Sequence, residues 1–341
     1  MEQHRYHRQE ILPQIGAAGQ RRLAEAQVLL IGCGALGSVV AEQLVRAGLG
    51  RLRLVDRDLV EWTNLQRQVL FDEKDARQAL PKAVAAAQRL AAVNSTVAVE
   101  PKVTDAHAAN IQPLADGCPL IIDATDNAAT RYLINDLSVQ RGLPWIYGAC
   151  IGTEGRVMVL QPPNTACLRC IYPQPPGAGE LPTCDTAGVL GPAAAVVGAL
   201  QAAMAVRLLV SGSCPDQLLS LDVWAAQWRG IETIAARSAA CPCCGLRRFE
   251  FLEATEQTPI TLCGRQAIQV RGTPGTVLDL PQLAQRWSGM EDVQLSPYLL
   301  RGRVAGAQQL SLTVFADGRT IVHGTDDPGR ARSLVARFVG S

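Results

Sequence analysis

The hydrophobic pattern begins at Gln27-Val28-Leu29-Leu30-Ile31, an apolar run that stops at Gly32. A short apolar run closed by glycine predicts a buried strand. Ser38 to Ala47 has helical character and stops at Gly48, and Arg51 to Asp56 alternates as a second strand does. Strand, helix and strand within about 30 residues form a βαβ unit with parallel strands. The alternation continues with a helix over Ala83 to Ala92, a strand over Val97 to Glu100 and a buried strand over Pro119 to Ala124. A helix over Thr130 to Arg141 and a strand over Pro144 to Tyr147 follow. Such alternation implies the α/β class, with a doubly wound, Rossmann-like, mostly parallel sheet.

Gly152 to Pro162 predicts a hairpin-forming β segment, and Ala193 to Val210 a long Ala-rich helix. Between them, Pro173 to Thr183 is a Pro/Gly-rich loop expected to be mobile. The composition turns polar around Glu253 to Pro259. We place a domain boundary there: a first domain over 1–256, divided near 148, and a small α/β domain over 257–341. In the latter, Leu310 to Phe315 and Thr320 to Gly324 read as strands joined by the turn Ala316-Asp317-Gly318-Arg319. A helix is expected over Asp327 to Phe338.

The chain has 341 residues, enough for two domains of about 100–200 residues each. Hydrophobic residues make up 48% and aromatics only 4%, so Leu, Val and Ala must fill the core. The formal net charge is +1, so no global basic field draws in nucleic acid or an anionic membrane. The first residues, Met1 to Arg5, are polar and lack the apolar centre of a signal peptide. The stretch Gly188 to Val206 contains Pro192 and Gln201 and reads as a buried helix rather than a membrane span. A cytoplasmic protein is expected. With no export signal, 11 cysteines point to thiols, metal ligands or catalysis rather than structural disulfides.

Gly32-x-Gly34-x-x-Gly37 lies between a predicted strand and a predicted helix. Glycines let the backbone approach phosphates, and the helix N-terminus offers free N–H groups and a positive dipole end. Asp56 ends the second strand, where an acid can hydrogen-bond ribose hydroxyls. This signal fits NAD and ATP alike. The residues that follow favour ATP. Arg67 offers a planar fork to phosphate oxygens, and Lys82 a point charge. Asp126, just past a buried strand's carboxyl end, suits magnesium. Taken one at a time, Arg67 could be a surface ion-pair partner of Asp56 or Glu61, Lys82 a solvated helix-start lysine, and Asp126 a helix N-cap.

Taken together, these residues resemble the ThiF/MoeB/HesA family, bacterial relatives of the ubiquitin-activating enzymes. The matching segments are Arg5-Tyr6-His7-Arg8-Gln9, the Gly32 loop, Val55-Asp56-Arg57-Asp58 and Thr63-Asn64-Leu65-Gln66-Arg67-Gln68. Asp123-Ala124-Thr125-Asp126-Asn127, Thr130-Arg131, Asn135 and Cys184 to Pro192 continue the match in family order. Ala35 stands where the family usually has a third glycine, and the interval from Arg67 to Lys82 is slightly long.

The resemblance implies ATP-dependent adenylation of the C-terminal glycine carboxylate of a ubiquitin-like sulfur-carrier protein of MoaD or ThiS type, with pyrophosphate released. It implies an ATP and Mg2+ site at Gly32, Gly34, Ala35, Leu36, Gly37, Asp56, Asp58, Asn64, Arg67, Gln68, Lys82, Asp126 and Asn127. It also implies a homodimer in which Arg8 serves the neighbouring subunit's site. Arg8, Arg67 and Lys82 would take up the charge of the leaving pyrophosphate. A sulfur donor, a cysteine desulfurase or a rhodanese, is a further expected partner. Nucleic acid and membrane are not. The molybdopterin-type carrier is the commonest reading for this architecture.

Cys167-Leu168-Arg169-Cys170 and Cys241-Pro242-Cys243-Cys244 form two C-x-x-C pairs. Two pairs complete a tetrahedral zinc site, with Cys167, Cys170, Cys241 and Cys244 as ligands and Cys243 spare. A redox dithiol is the alternative. Four thiolates leave no open position, so the metal would be structural, and the resemblance implies the same zinc within the β-rich half over about 149–256. In the family, the position of Cys184 can carry an acyl or persulfide link to the carrier; otherwise it is a packed loop thiol. Cys33 fills space in the glycine loop. The tail over 257–341 has only Cys263, too little for a rhodanese loop, and is expected to help dock the carrier or a sulfur donor, or simply to add stability. Two other functions stay open. A nicotinamide-dependent oxidoreductase explains Gly32 to Asp56 alone, and a non-catalytic zinc scaffold explains the cysteines alone.

Overall fold

The computed structural model describes residues 5–177, 184–253, 260–262, 266–272, 277–307 and 309–340. The chain divides into two compact units, Met1–Ala254 and Thr255–Ser341.

The first unit is built on eight strands: β1 (Gln27–Ile31), β2 (Arg51–Val55), β3 (Ala98–Lys102), β4 (Leu120–Asp123), β5 (Trp145–Ile151), β6 (Glu154–Leu160), β7 (Gln217–Asp222) and β8 (Gln227–Glu232). Their order across the sheet is β3-β2-β1-β4-β5-β6-β7-β8. The first five are parallel, and the last three join antiparallel. Parallel strands are covered on both faces, which is why β1 reads as an unbroken apolar run. Val28 and Leu30 pack toward the helices Ala35–Arg46 and Gly191–Ser211. Leu29 and Ile31 pack toward the helix Ala128–Arg141. The connections reverse direction between β1 and β4, and open α/β sheets hold their ligands in the crevice at such a point.

The helix Gly191–Ser211 is long and apolar enough to cross a membrane by length and composition. Here it lies against the helix Ala35–Arg46 and strands β5 and β6 as core. Its closest approach is at Gly198, where an added Cβ would sit 2.8 Å from the Leu36 carbonyl oxygen and 2.9 Å from Val39 Cβ. Gly198→Ala must push two helix backbones apart, and overpacking of this kind costs about 1–3 kcal/mol. The expected result is a lower urea midpoint with an unchanged denaturant slope; an unshifted midpoint refutes the tight crossing.

The predicted helices and strands of this unit lie within a few residues of their expected positions, and Gly152 to Pro162 supplies β6, which forms a hairpin with β5. Strands β7 and β8 were not predicted. Every residue of β8 is exposed, so it carries no apolar alternation to read. The expected mobile loop falls partly outside the described residues.

The second unit has β9 (Ile260–Leu262), β10 (Ala267–Val270), β11 (Met290–Leu295), β12 (Leu299–Val304), β13 (Ser311–Phe315) and β14 (Thr320–His323). They form a second sheet in the order β11-β12-β13-β14-β10-β9, antiparallel throughout. The helices Leu280–Arg286 and Pro328–Phe338 contribute to a core of Ile268, Leu283, Trp287, Leu300, Leu312 and Val322. Trp287 Nε1 donates to the Phe338 carbonyl at 2.8 Å, tying the two helices together. The predicted hairpin and last helix are present as β13, β14 and Pro328–Phe338.

Candidate functional site

The glycine loop closes β1 and caps the helix Ala35–Arg46 at Gly34, which provides no side-chain cap. The first N–H groups of that helix therefore lack intrahelical partners and face the crevice as anion donors. Gly32 has φ +94, and a Cβ there would sit 2.6 Å from the Ala124 carbonyl oxygen. A Cβ on Gly37 would lie 2.0 Å from the Gly32 carbonyl oxygen. Both positions need glycine so that the loop can press against the end of β4. At Gly34 the nearest atom to an added Cβ is Gln68 Nε2 at 3.8 Å, leaving an open cradle. Gln68 is buried there, and its Oε1 has no hydrogen-bond partner. An open cradle beside an unsatisfied polar atom fits a nucleotide's phosphates and sugar.

Asp56 Oδ2 accepts the Cys33 N–H at 2.6 Å and Oδ1 accepts the Asp58 N–H at 2.7 Å. Burial pushes this carboxyl up, while nearby Lys82 draws it down. Each oxygen retains a lone pair for a ribose hydroxyl. Burial also pushes the Cys33 thiol well up, as suits a space-filling cysteine. Lys82 starts the helix Lys82–Val93 but is buried, with Nζ 3.2 Å from Asp58 Oδ2. It is not a solvated lysine. Arg57 faces Asp105 at 3.4 Å and Asp58 at 3.8 Å.

Asn64 is buried in a short turn, where its Oδ1 accepts the Glu61 N–H at 3.2 Å. Arg67 is half-buried and makes neither an ion pair with Asp56 nor one with Glu61; among the described residues its guanidinium donates only to the Thr63 carbonyl, from Nη1 at 2.8 Å. The guanidinium therefore keeps donors for a ligand. Asn127, not Asp126, caps the next helix, with Oδ1 accepting the Thr130 N–H at 2.8 Å. Asp126 is exposed and has no hydrogen bond or ion pair among the described residues. A free carboxylate at a strand's carboxyl end is the donor that Mg2+ takes alongside phosphate oxygens.

Sequence reasoning assigned no role to Asp123, Arg131 or Gln201, which meet at the end of β4, Asp123 and Gln201 fully buried and Arg131 half-buried. Burial pushes the Asp123 carboxyl up and Arg131 pulls it back, their closest atoms 3.3 Å apart. Gln201 Nε2 donates to the Asp123 carbonyl at 2.7 Å. An arginine one turn into a helix that follows a buried acid was the available signal.

Arg8 is not brought to this site. An added Cβ on Gly48 would sit 2.5 Å from Tyr6 Cζ, and Gln9 Nε2 donates to the Ala47 carbonyl at 3.0 Å. Those contacts hold the helix His7–Glu10 at the C-terminal end of Ala35–Arg46, about 18 Å along the axis from the glycine loop. Arg8 itself is exposed, with no hydrogen bond or ion pair among the described residues.

The four predicted thiols converge. Cys167, Cys170, Cys241 and Cys244 place their sulfurs within 4.8 Å of one another. Sulfur separations are 3.8 Å for Cys167 and Cys170, 3.6 Å for Cys167 and Cys241, and 3.4 Å for Cys170 and Cys244. Tetrahedral zinc with sulfur at about 2.3 Å sets ligand sulfurs about 3.8 Å apart, so the cluster fits that metal. Asn135 supports it, accepting the Leu168 N–H at 2.8 Å and donating to Cys243 Sγ at 3.3 Å. Hydrogen bonding with Cys243 pulls the Cys167 thiol down to about 4. Cys184 begins the short helix Cys184–Ala187, and its side chain, like Cys263, lies outside the described residues.

Residues 6–243 match the ThiF family. A protein of Bacillus subtilis named sulfur carrier protein ThiS adenylyltransferase is 41% identical over 339 residues, 98% of this chain and 99% of its own. A Thermus thermophilus protein named sulfur carrier protein adenylyltransferase is 42% identical, covering 71% of this chain and 90% of its own. Among solved structures, Escherichia coli MccB with ATP superimposes with a TM-score of 0.62 at 23% identity, over 71% of this chain and 74% of that one, a likeness of fold.

Proposed function

Because the chain belongs to the ThiF family, we propose that it uses ATP to adenylate the C-terminal glycine carboxylate of a ubiquitin-like sulfur-carrier protein, releasing pyrophosphate. The carrying observation is the full-length likeness to an adenylyltransferase named for ThiS. That likeness favours a ThiS-type carrier over the molybdopterin type. Carrier-dependent exchange of pyrophosphate into ATP tests the reading. Exchange should require a carrier ending in Gly-Gly, and ATP binding without exchange on any such carrier sinks it.

The carrier's carboxylate attacks the α-phosphate, so catalysis consists of positioning and charge stabilisation. The glycine loop's N–H groups and the open cradle at Gly34 receive phosphate oxygens. Asp56 holds the ribose, and Asn64 and Gln68 shape the wall beside it. Arg67 and Lys82 take up charge on the departing pyrophosphate. Asp126 holds Mg2+, which when bound neutralises phosphate charge. Zinc at the four cysteines is structural, bracing the carrier-binding half. In this reading Cys184 is the thiol that can link to the carrier, and a sulfur donor acts after adenylation. We place the enzyme in the cytoplasm.

Arg8 completes a partner subunit's site in a homodimer. It stands about 18 Å along the helix axis from its own glycine loop, and it has no hydrogen bond or ion pair among the described residues. Mixing inactive Arg8→Ala with inactive Asp126→Ala should restore about a quarter of wild-type exchange, since half of randomly paired dimers carry one intact site of two. No recovery after subunit exchange refutes the shared site.

A further inference from the structure

Asp123 closes β4 with no exposed surface. Its Oδ1 accepts the N–H of Thr125 at 2.9 Å and the Thr125 hydroxyl at 2.7 Å. Its Oδ2 faces Arg131 Nε at 3.3 Å. Arg131 Nη2 donates to the Thr125 carbonyl at 2.7 Å and to the Gly148 carbonyl at 3.2 Å. The guanidinium also lies 5.1 Å from the centre of the Tyr147 ring. Thr125 is thus gripped on both sides, its N–H by Asp123 and its C=O by Arg131. That carbonyl lies in the same rigid peptide plane as the Asp126 N–H, so gripping it fixes the direction in which Asp126 leaves the strand.

The same turn bears on the glycine loop. A Cβ on Gly32 would meet the Ala124 carbonyl oxygen at 2.6 Å and the Thr125 nitrogen at 3.1 Å. The grip on Thr125 therefore sets the spacing between the phosphate loop and Asp126. We infer that Arg131 is a positioning residue, which with Asp123 holds the Asp126 carboxylate where the magnesium of bound ATP needs it. This rests on the reading of Asp126 given above. An ion pair that served only stability could sit anywhere in the core, whereas in this one Arg131 Nη2 is spent on the peptide before Asp126 and on the middle of β5. Reaching Asp123, Thr125 and Gly148 at once takes a planar fork, which lysine lacks.

Two variants of the full chain test the inference. Asp123→Asn/Arg131→Gln removes both charges together, leaving neither buried and unpaired. Arg131→Lys keeps the charge and loses the fork. Manganese serves as the spin-active probe, titrated into protein saturated with a non-hydrolysable ATP analogue and followed by electron paramagnetic resonance. Affinity for the analogue is measured separately in EDTA. Both variants should bind the analogue without metal as the wild type does, and bind manganese about 10- to 100-fold more weakly, the usual cost of removing a residue that orients a ligand. Adding Asp126→Asn to either variant should weaken manganese no further. Manganese affinity within twofold of wild type overturns the inference, as does metal-free nucleotide binding that falls in step. If the unaltered protein binds no nucleotide, the reading of the site fails instead.

Discussion

Asp126→Ala should lower carrier-dependent pyrophosphate exchange by about a thousandfold, and Arg67→Ala by about a hundredfold or more, the range seen when one stabilising group is removed from developing charge. Neither change should disturb the fold. Among the described residues, Asp126 is exposed with no hydrogen bond or ion pair, and Arg67 spends a single donor on the Thr63 carbonyl. Surface substitutions of this kind usually stay within about 0.5 kcal/mol. Thermal midpoints near wild type beside lost exchange would mark both as parts of the chemistry. Lys82 offers the contrast. It is buried against Asp58, so Lys82→Met takes away that carboxylate's nearer cation and should lose stability and exchange together. Retained exchange in Asp126→Ala or Arg67→Ala refutes the assigned roles.

Removal of the zinc ligands should have the largest effect on stability. Cys241→Ala and Cys167→Ala each leave three thiols and each remove the contact between Cys167 and Cys241, whose sulfurs stand 3.6 Å apart. Structural zinc contributes its binding free energy to folding, about 10–16 kcal/mol in isolated zinc peptides, which is comparable to the whole stability of an ordinary domain, about 5–15 kcal/mol. Either variant should be recovered without metal and mostly insoluble, whereas the wild type should hold one zinc per chain by elemental analysis. Cys243→Ala is the control. It loses hydrogen bonds with Asn135, at 3.3 Å, and with Cys167 but no ligand, so it should keep the metal and lose about 1–3 kcal/mol. Zinc retained in Cys241→Ala, or lost in Cys243→Ala, overturns the ligand set.

The parallel half of the sheet was legible because its strands are buried on both faces, so each is a bare apolar run between breakers, as Val28 to Ile31 shows. The glycine loop was legible because its two close approaches tolerate no side chain. Strand β8 escaped because exposure on all sides erases alternation. The clamp at Arg131 escaped because its meaning is long-range: spacing shows that the arginine follows Asp123, but only the fold brings it to the Gly148 carbonyl. Asn127 is the reverse case, a motif residue whose Oδ1 is already spent on a helix cap, which leaves its Nδ2 donors and its backbone for any ligand.

The strand order also has a consequence on the ribosome. β1 is flanked by β2, made soon after it, and by β4, made much later. Its second edge stays bare until Asp123 has left the exit tunnel, and the floor of the crevice cannot close before then. At about 5–20 residues per second that wait lasts several seconds. The cysteine pairs wait longer, since Cys167 and Cys170 are made well before Cys241 and Cys244. Each newborn chain therefore passes through a period in which Cys167 and Cys170 exist without the other half of the cage.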